Sequence, residues 1–273
     1  MSFFVNNVEL KEATFNQQEV KSIYFNTHLI WEASIWHGWA NATWEDVYNL
    51  CKAKQNGDID AWPDDVVLGA TKETTLSTAI LGTSTFTMRI IGLDIDGSGV
   101  ITFDSKYLTA EYVPFSSLNT YQDNFYNYCN AKSYIKPLRK GAAEANYDSY
   151  NFRNGAVTYT DYYVWSLSER EVNSDSLSCI SVANSSLTRA ECTYGVNQPY
   201  PYFTSDASRK KTVAGSSTGY GWLTRTESFN MLILRKMKVV VGESGNIMGI
   251  NYDNITGTEP DSNVRFSPCF AIG

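Results

Sequence analysis

The chain has 273 residues, 43 % of them hydrophobic, and carries 22 Lys and Arg against 29 Asp and Glu, a formal net charge of −7. Phosphate backbones are held by clustered cations, so this balance speaks against a nucleic-acid partner. The apolar content speaks against wholesale disorder, and the absence of any apolar run of about 18 residues speaks against a membrane-spanning helix.

The first 33 residues read as a meander of short strands separated by Asn-containing turns, with Val8, Leu10, Val20, Ile23, Phe25, Leu29, Ile30 and Trp31 as the apolar supply. So small a sheet is marginal alone. It either docks on a partner or adds an edge to the rest of the chain. The opening MSFFVNNVEL has neither a basic region nor a long apolar stretch, so no signal peptide is expected.

A helix follows, with Thr43 as its cap, Asp46 in the capping-box position, Trp44, Val47, Tyr48 and Cys51 as an apolar stripe, and Gly57 as its stop. From Val66 to Phe103 the pattern changes to strands: DVVLGA, ETTLSTAI, TFTMRIIGL and GSGVITF. A second helix is predicted from about Thr120 to Ala131, with Phe125, Tyr128 and Cys129 on one side. AVTYTDYYVWSL reads as a strand, and SERE as a short helical turn capped by Ser168 and Glu171. Asn173 to Ser217 is polar and lacks periodicity, and reads as long loops. Arg209-Lys210-Lys211 within it reads as a solvated basic cluster. YGWLTR, FNMLIL, MKVVVGE, NIMGINY and VRFSPCFAI return to strand patterning. The mixture is α+β.

Chemical signatures are few. GLDIDGSGVITF has the look of a calcium loop, but Gly97 falls one residue early and Ser105 stands where a bidentate Glu is required, so a β-turn is the reading. The two histidines, His28 and His37, both lie near the N-terminus, with no nucleophile spaced to meet them. Five cysteines (Cys51, Cys129, Cys179, Cys192 and Cys269) include no CxxC. They indicate neither a zinc site nor a disulfide framework. Cys179 and Cys192 can pair across a loop, and reduced cysteines are the plainer reading. TEPDSN gathers Glu259, Asp261 and Asn263, oxygen-rich side chains that suit calcium or a sugar, in a sequence that equally suits a plain turn. No cofactor or metal is expected.

Several segments resemble, in order, one domain of unknown function that occurs in phage tail proteins and in surface proteins of gut bacteria. They are TWEDVYNL, DVVLGATKETTL, MRIIGLDIDGSGVITF, YVWSLSEREV, YFTSDASRK, YGWLTRTES and VRFSPCFAI, spanning about residues 36–273. Trp222-Leu223-Thr224-Arg225, Gly245-Asn246-Ile247 and the run Val264 to Pro268 match its loose motifs. The terminal pattern is similar to the wider C-type-lectin-like fold, which also includes formylglycine-generating enzymes. Those enzymes use a pair of cysteines where this chain has Cys269 alone. The first 33 residues are similar to short repeats of phage tail and baseplate proteins.

The resemblance implies two units, an N-terminal β docking module over residues 1–33 and a C-type-lectin-like domain over residues 36–273. It implies a non-enzymatic virion protein, a fibre tip or baseplate component assembled in the host cytoplasm, docked through residues 1–33 to other virion proteins. Three copies are expected, by analogy with fibres. Its late loops would read a host cell-surface glycan or protein, since aromatic faces stack on sugar rings while amides and carboxylates bind hydroxyls. The residues so assigned are Tyr220, Asn230, Tyr252, Asp253, Asn254, Asp261 and Asn263, with Tyr200 and Tyr202 behind them. A purely structural virion component and a bacterial adhesin are the competing roles. Within the late strand, Trp222 is expected in the core, and Arg225 is expected to anchor a loop or pair with a buried carboxylate.

Overall fold

The computed structural model describes residues 4–5, 8–9, 14–15, 18–19, 22–25, 28–32, 36, 38–114, 117–143, 157–172, 198–230, 235–251 and 264–273. In the N-terminal unit these form three two-stranded antiparallel hairpins. They are β1 (Phe4–Val5) with β2 (Val8–Glu9), β3 (Thr14–Phe15) with β4 (Gln18–Glu19), and β5 (Ser22–Phe25) with β6 (His28–Glu32).

Helix α1 (Trp44–Asn56) begins and ends on the predicted signals. The Thr43 hydroxyl accepts from the Asp46 amide at 3.1 Å while the Asp46 carboxylate accepts from the Thr43 amide at 2.6 Å. Such a reciprocal cap satisfies two amides that the first helical turn leaves open. Gly57 closes the helix at φ +78°, a backbone region that glycine enters without steric cost. Trp44, Val47, Leu50 and Cys51 form the buried stripe.

The main sheet comes next. β7 (Thr71–Ile80) and β8 (Thr83–Leu93) form a hairpin whose two turn residues, Leu81 and Gly82, both have positive φ. That conformation matches the twist of the strands it joins. β9 (Ile101–Ser105) lies on β8, and β10 (Tyr107–Leu108) leaves the sheet to pair elsewhere. The segment DVVLGA, expected as a strand, forms turns instead, because Pro63 opens it and Gly69 sits at φ +88°. Helix α2 (Leu118–Tyr128) stops three residues short of its predicted end. Cys129 is extended there, and a 3-10 turn takes up Lys132–Tyr134.

β11 (Ile135–Lys136), the β12 (Leu138–Ala143) and β13 (Val157–Tyr162) hairpin, β14 (Val164–Trp165) and α3 (Glu169–Val172) follow. After residue 198 come α4 (Asp206–Arg209), β15 (Thr212–Val213), β16 (Gly221–Asn230), β17 (Arg235–Val241), β18 (Ile247–Asn251), β19 (Val264–Arg265) and β20 (Cys269–Ile272).

β20 occupies the middle of the main sheet, whose order is β11-β20-β9-β8-β7 with β14 also on β20, all antiparallel. A second sheet runs β18-β17-β16-β19, with β16 and β19 parallel. The fold is therefore mixed α+β, dominated by antiparallel sheet and poor in helix.

Successive residues of a strand point to opposite faces. Phe270 and Ile272 of β20 accordingly join the core under α1 and α2, whereas Cys269 and Ala271 join a second core on the other side. The helix-side core is aromatic. Phe103 and Phe270 lie 5.4 Å apart, Trp44 meets both edge-on, and Phe86 meets Phe125 edge-on at 5.1 Å. Each such buried ring contributes roughly 1.5–3 kcal/mol by leaving water. With both faces of the sheet covered, its strands need not alternate apolar with polar.

Candidate functional site

The second core is built around charge. Arg89 of β8 and Asp104 of β9 are direct cross-strand neighbours on that face, and their side chains pair at 3.1 Å. The other oxygen of Asp104 meets the Lys211 ammonium at 2.5 Å and accepts from the Ser267 hydroxyl at 3.0 Å. Lys211 also donates to Ser267 and lies 4.3 Å from the centre of the Trp222 ring. This side chain is fully enclosed. The expected solvated cluster Arg209-Lys210-Lys211 is thus corrected for Lys211, because Asp104, 107 residues distant in sequence, pulls it inside.

A second knot adjoins the first. Lys140 of β12 meets Asp96 at 2.5 Å and lies 3.2 Å from Glu171 Oε1, at ion-pair distance but not aligned to donate. Arg225 of β16 reaches Glu171 Oε2 at 2.6 Å and donates to the carbonyls of Gly141 and Ser166. The Ser168 amide donates to the same carboxylate and the Glu171 amide returns to the Ser168 hydroxyl, which is the cap anticipated from SERE. The Tyr200 phenol donates to Asp96 at 2.7 Å and accepts from Lys140 at 2.8 Å. Arg225 is thus the anchor on a buried carboxylate that the sequence suggested, and Trp222 is fully buried.

Burial disfavours charge, and neighbouring charges decide whether each group keeps its own. Burial alone would raise the Glu171 carboxyl, but Arg225 and Lys140 outweigh it and hold the group below its usual range. Lys140 is desolvated too, yet Glu171 and Asp96 outweigh that and raise it. Lys211 goes the other way. Burial, only partly offset by Asp104 and reinforced by the repulsion of Arg89, lowers it to about 8. Cys269 is pushed well up by burial and by Asp104 and Glu171, so its sulfur stays a thiol. Burial likewise lifts Cys129 to about 11 and Cys51 to about 12. A thiol so held is a poor nucleophile. The network locks strands to loops.

Of the ligand residues expected from sequence, Tyr220 and Asn230 lie among the described residues, and they stand apart. Tyr220, just ahead of β16, is half-buried and covers the Arg265 guanidinium at 4.4 Å from its ring centre. Tyr112 covers the same cation at 4.3 Å, and Arg265 donates to the Thr109 carbonyl at 2.9 Å. Asn230 ends β16 at the opposite end of that strand, ten residues on, or roughly 30 Å at strand rise. Tyr220 and Asn230 cannot grip one small ligand together. Tyr200 is corrected outright: it is 1 % exposed, drawn inside by Asp96 and Lys140. Tyr202 lies on Arg89, ring centre 4.3 Å from the guanidinium. Tyr252, Asp253, Asn254, Asp261 and Asn263 fall outside the described residues, as do Cys179 and Cys192. The calcium-like loop is a turn, with Asp94 accepting from the Gly99 amide at 2.7 Å and Asp96 committed to the buried knot.

A different surface carries aromatic chemistry outward. Tyr163, at the bend between β13 and β14, is 44 % exposed and stacks on Tyr126 of α2 with ring centres 4.3 Å apart and planes 22° from parallel. Lys132 sits 5.0 Å from the centre of the Tyr126 ring and donates to the Asn127 side chain at 3.1 Å. A ring face, a cation and an amide thus share one exposed spot. Sequence reading passed over it because it treated Tyr128 as part of the helix's inward stripe and assigned ligand contact to later loops. The signal was available in the run QDNFYNY, where Tyr126 follows the buried Phe125 and so falls off its face.

Comparison with protein-family models, curated proteins and solved structures finds no match to this chain.

Proposed function

We propose that this chain is a non-enzymatic component of a phage virion, a tail-fibre tip or baseplate protein. In this reading residues 36–273 form a C-type-lectin-like domain that binds a glycan or protein on the host cell surface. Residues 1–33 hold it to the particle. The mixed, mostly antiparallel fold and the resemblance of the ordered segments support the class. The observation that carries host binding is the exposed Tyr163–Tyr126 stack beside Lys132 and Asn127. Sugar rings stack on such aromatic faces while ammonium and amide groups hydrogen-bond their hydroxyls. The charge-locked core supports the non-enzymatic reading, since Cys269 is held as a thiol and Lys140 and Lys211 are enclosed.

The test is saturable binding of the purified chain to host cells and to extracted wall glycans. Tyr163→Ala should weaken binding about tenfold, or about 1.4 kcal/mol, with an unchanged melting temperature. Absence of saturable binding to either target would sink host recognition and leave a purely structural virion component.

A further inference from the structure

The charged knot around Lys140 leaves one buried oxygen open. Arg225 and the Ser168 amide hold Glu171 Oε2. Glu171 Oε1, on a side chain with no exposed surface, accepts no hydrogen bond among the described residues and lies 3.2 Å from the Lys140 ammonium. A buried polar atom left open in this way calls for a reason.

The Asp96 carboxylate meets the same ammonium with two unequal oxygens. Oδ1 receives the Lys140 hydrogen bond at 2.5 Å. Oδ2 accepts from the Tyr200 phenol at 2.7 Å and from the Thr102 hydroxyl at 2.5 Å. Nitrogen and carboxyl are therefore in contact. Two donors sit on the oxygen that gains negative charge when the nitrogen adds to Cγ, and an open carboxylate oxygen stands beside the nitrogen. A held nucleophile, an oxyanion site and a base are the parts that amide formation requires. The Lys140 side chain is 6 % exposed, and the centres of the Trp165 and Tyr200 rings lie 4.9 and 5.3 Å from Nζ.

We propose that Lys140 and Asp96 condense into an internal amide bond, with Glu171 as the proton carrier. Nζ bonds to Cγ of Asp96, the Cγ–Oδ1 bond breaks, and Oδ1 departs as water. Of the three ammonium protons, one passes to Oδ1 along the existing hydrogen bond, one reaches it through Glu171 Oε1, and one stays on the amide nitrogen. The two charges cancel and nothing is oxidised or reduced, so no co-reactant is needed. Glu171 and Asp96 hold the proton on Lys140, which slows the step, but each chain performs it once. The product favours it, because two charges that are costly to keep from water become one neutral amide. Arg225 remains as the partner of Glu171. The bond ties the loop between β8 and β9 to β12, joining positions 44 residues apart. It does not depend on what the surface binds.

The experiment is mass spectrometry of the purified full chain after unfolding in denaturant. Wild type is expected one water lighter than its sequence requires. Its tryptic digest is expected to hold a branched peptide joining Lys140 to Asp96, with no cleavage after Lys140. Lys140→Arg and Asp96→Ala are expected at their full sequence masses. Glu171→Gln, checked for folding by near-ultraviolet circular dichroism, is expected at its full mass too. A wild type at full mass, or a water lost between any other pair of residues, would overturn the proposal whether or not a variant folds. Loss of water from folded Glu171→Gln would overturn the part given to Glu171.

Discussion

Lys211 gives the sharpest test of the charged core. Its three close partners (Asp104, Ser267 and the Trp222 ring) do not recover what burial costs it, and Arg89 repels it. Its folded pKa of about 8 therefore lies below the 10.5 of an exposed lysine. Between those values the unfolded chain holds the extra proton, so stability must rise with pH. From pH 8 to pH 10 this one group should add about 2 kcal/mol, at about 1.4 kcal/mol per unit of difference. Lys211→Met removes the contribution. At pH 7 the variant should lie within about 1 kcal/mol of wild type, because Asp104 retains Arg89 and Ser267. Asp104→Asn, by contrast, strands two buried cations and should cost about 3–5 kcal/mol. Urea unfolding at pH 7, 8, 9 and 10 supplies the numbers. Other groups titrate in this range, so the informative quantity is wild type minus Lys211→Met. If that difference stays flat or falls with pH, the account of Lys211 as an under-compensated buried cation is wrong.

Arg225→Met leaves the buried Glu171 carboxylate with Lys140 and the Ser168 amide and removes donors from two buried carbonyls, so chemical denaturation should show a loss of about 3–5 kcal/mol. Gly99→Ala should cost at least about 1–3 kcal/mol. Its φ of +68° disfavours a side chain, and an added Cβ would lie 2.7 Å from the Cys51 carbonyl oxygen of α1. A melting curve shared with wild type would mean that the Gly99 turn can move away from the helix.

What could be read from the sequence divides by distance along the chain. Helix α1 was legible to the residue because Thr43, Asp46 and Gly57 act on backbone groups within one turn of themselves. The SERE cap was legible for the same reason. Trp222 and Arg225 were placed correctly by resemblance to the ordered motifs, not by pattern. Lys211 was misread because the group that draws it inside is Asp104, and no local rule reports a partner so far away. Tyr200 failed likewise: its surroundings, NQPYPYF, read as loop, and only Asp96 and Lys140 make its burial tolerable. DVVLGA has the composition of a strand, and Pro63 with Gly69 overrides it. The N-terminal segment was read as short strands separated by Asn-containing turns, and its described residues form three two-stranded hairpins.

The position of β20 has a consequence in time. Residues 269–272 fill the slot between β9 on one side and β11 and β14 on the other. In chain order they follow every other strand of that sheet. Until then two halves of the sheet face each other across a missing strand, and Phe103 and Trp44 lack the Phe270 ring that packs against both. The main sheet therefore cannot close before residues 269–272 have been made. A chain that lacks residues 269–272 should leave this sheet open, and limited proteolysis should digest its body faster than that of the intact chain.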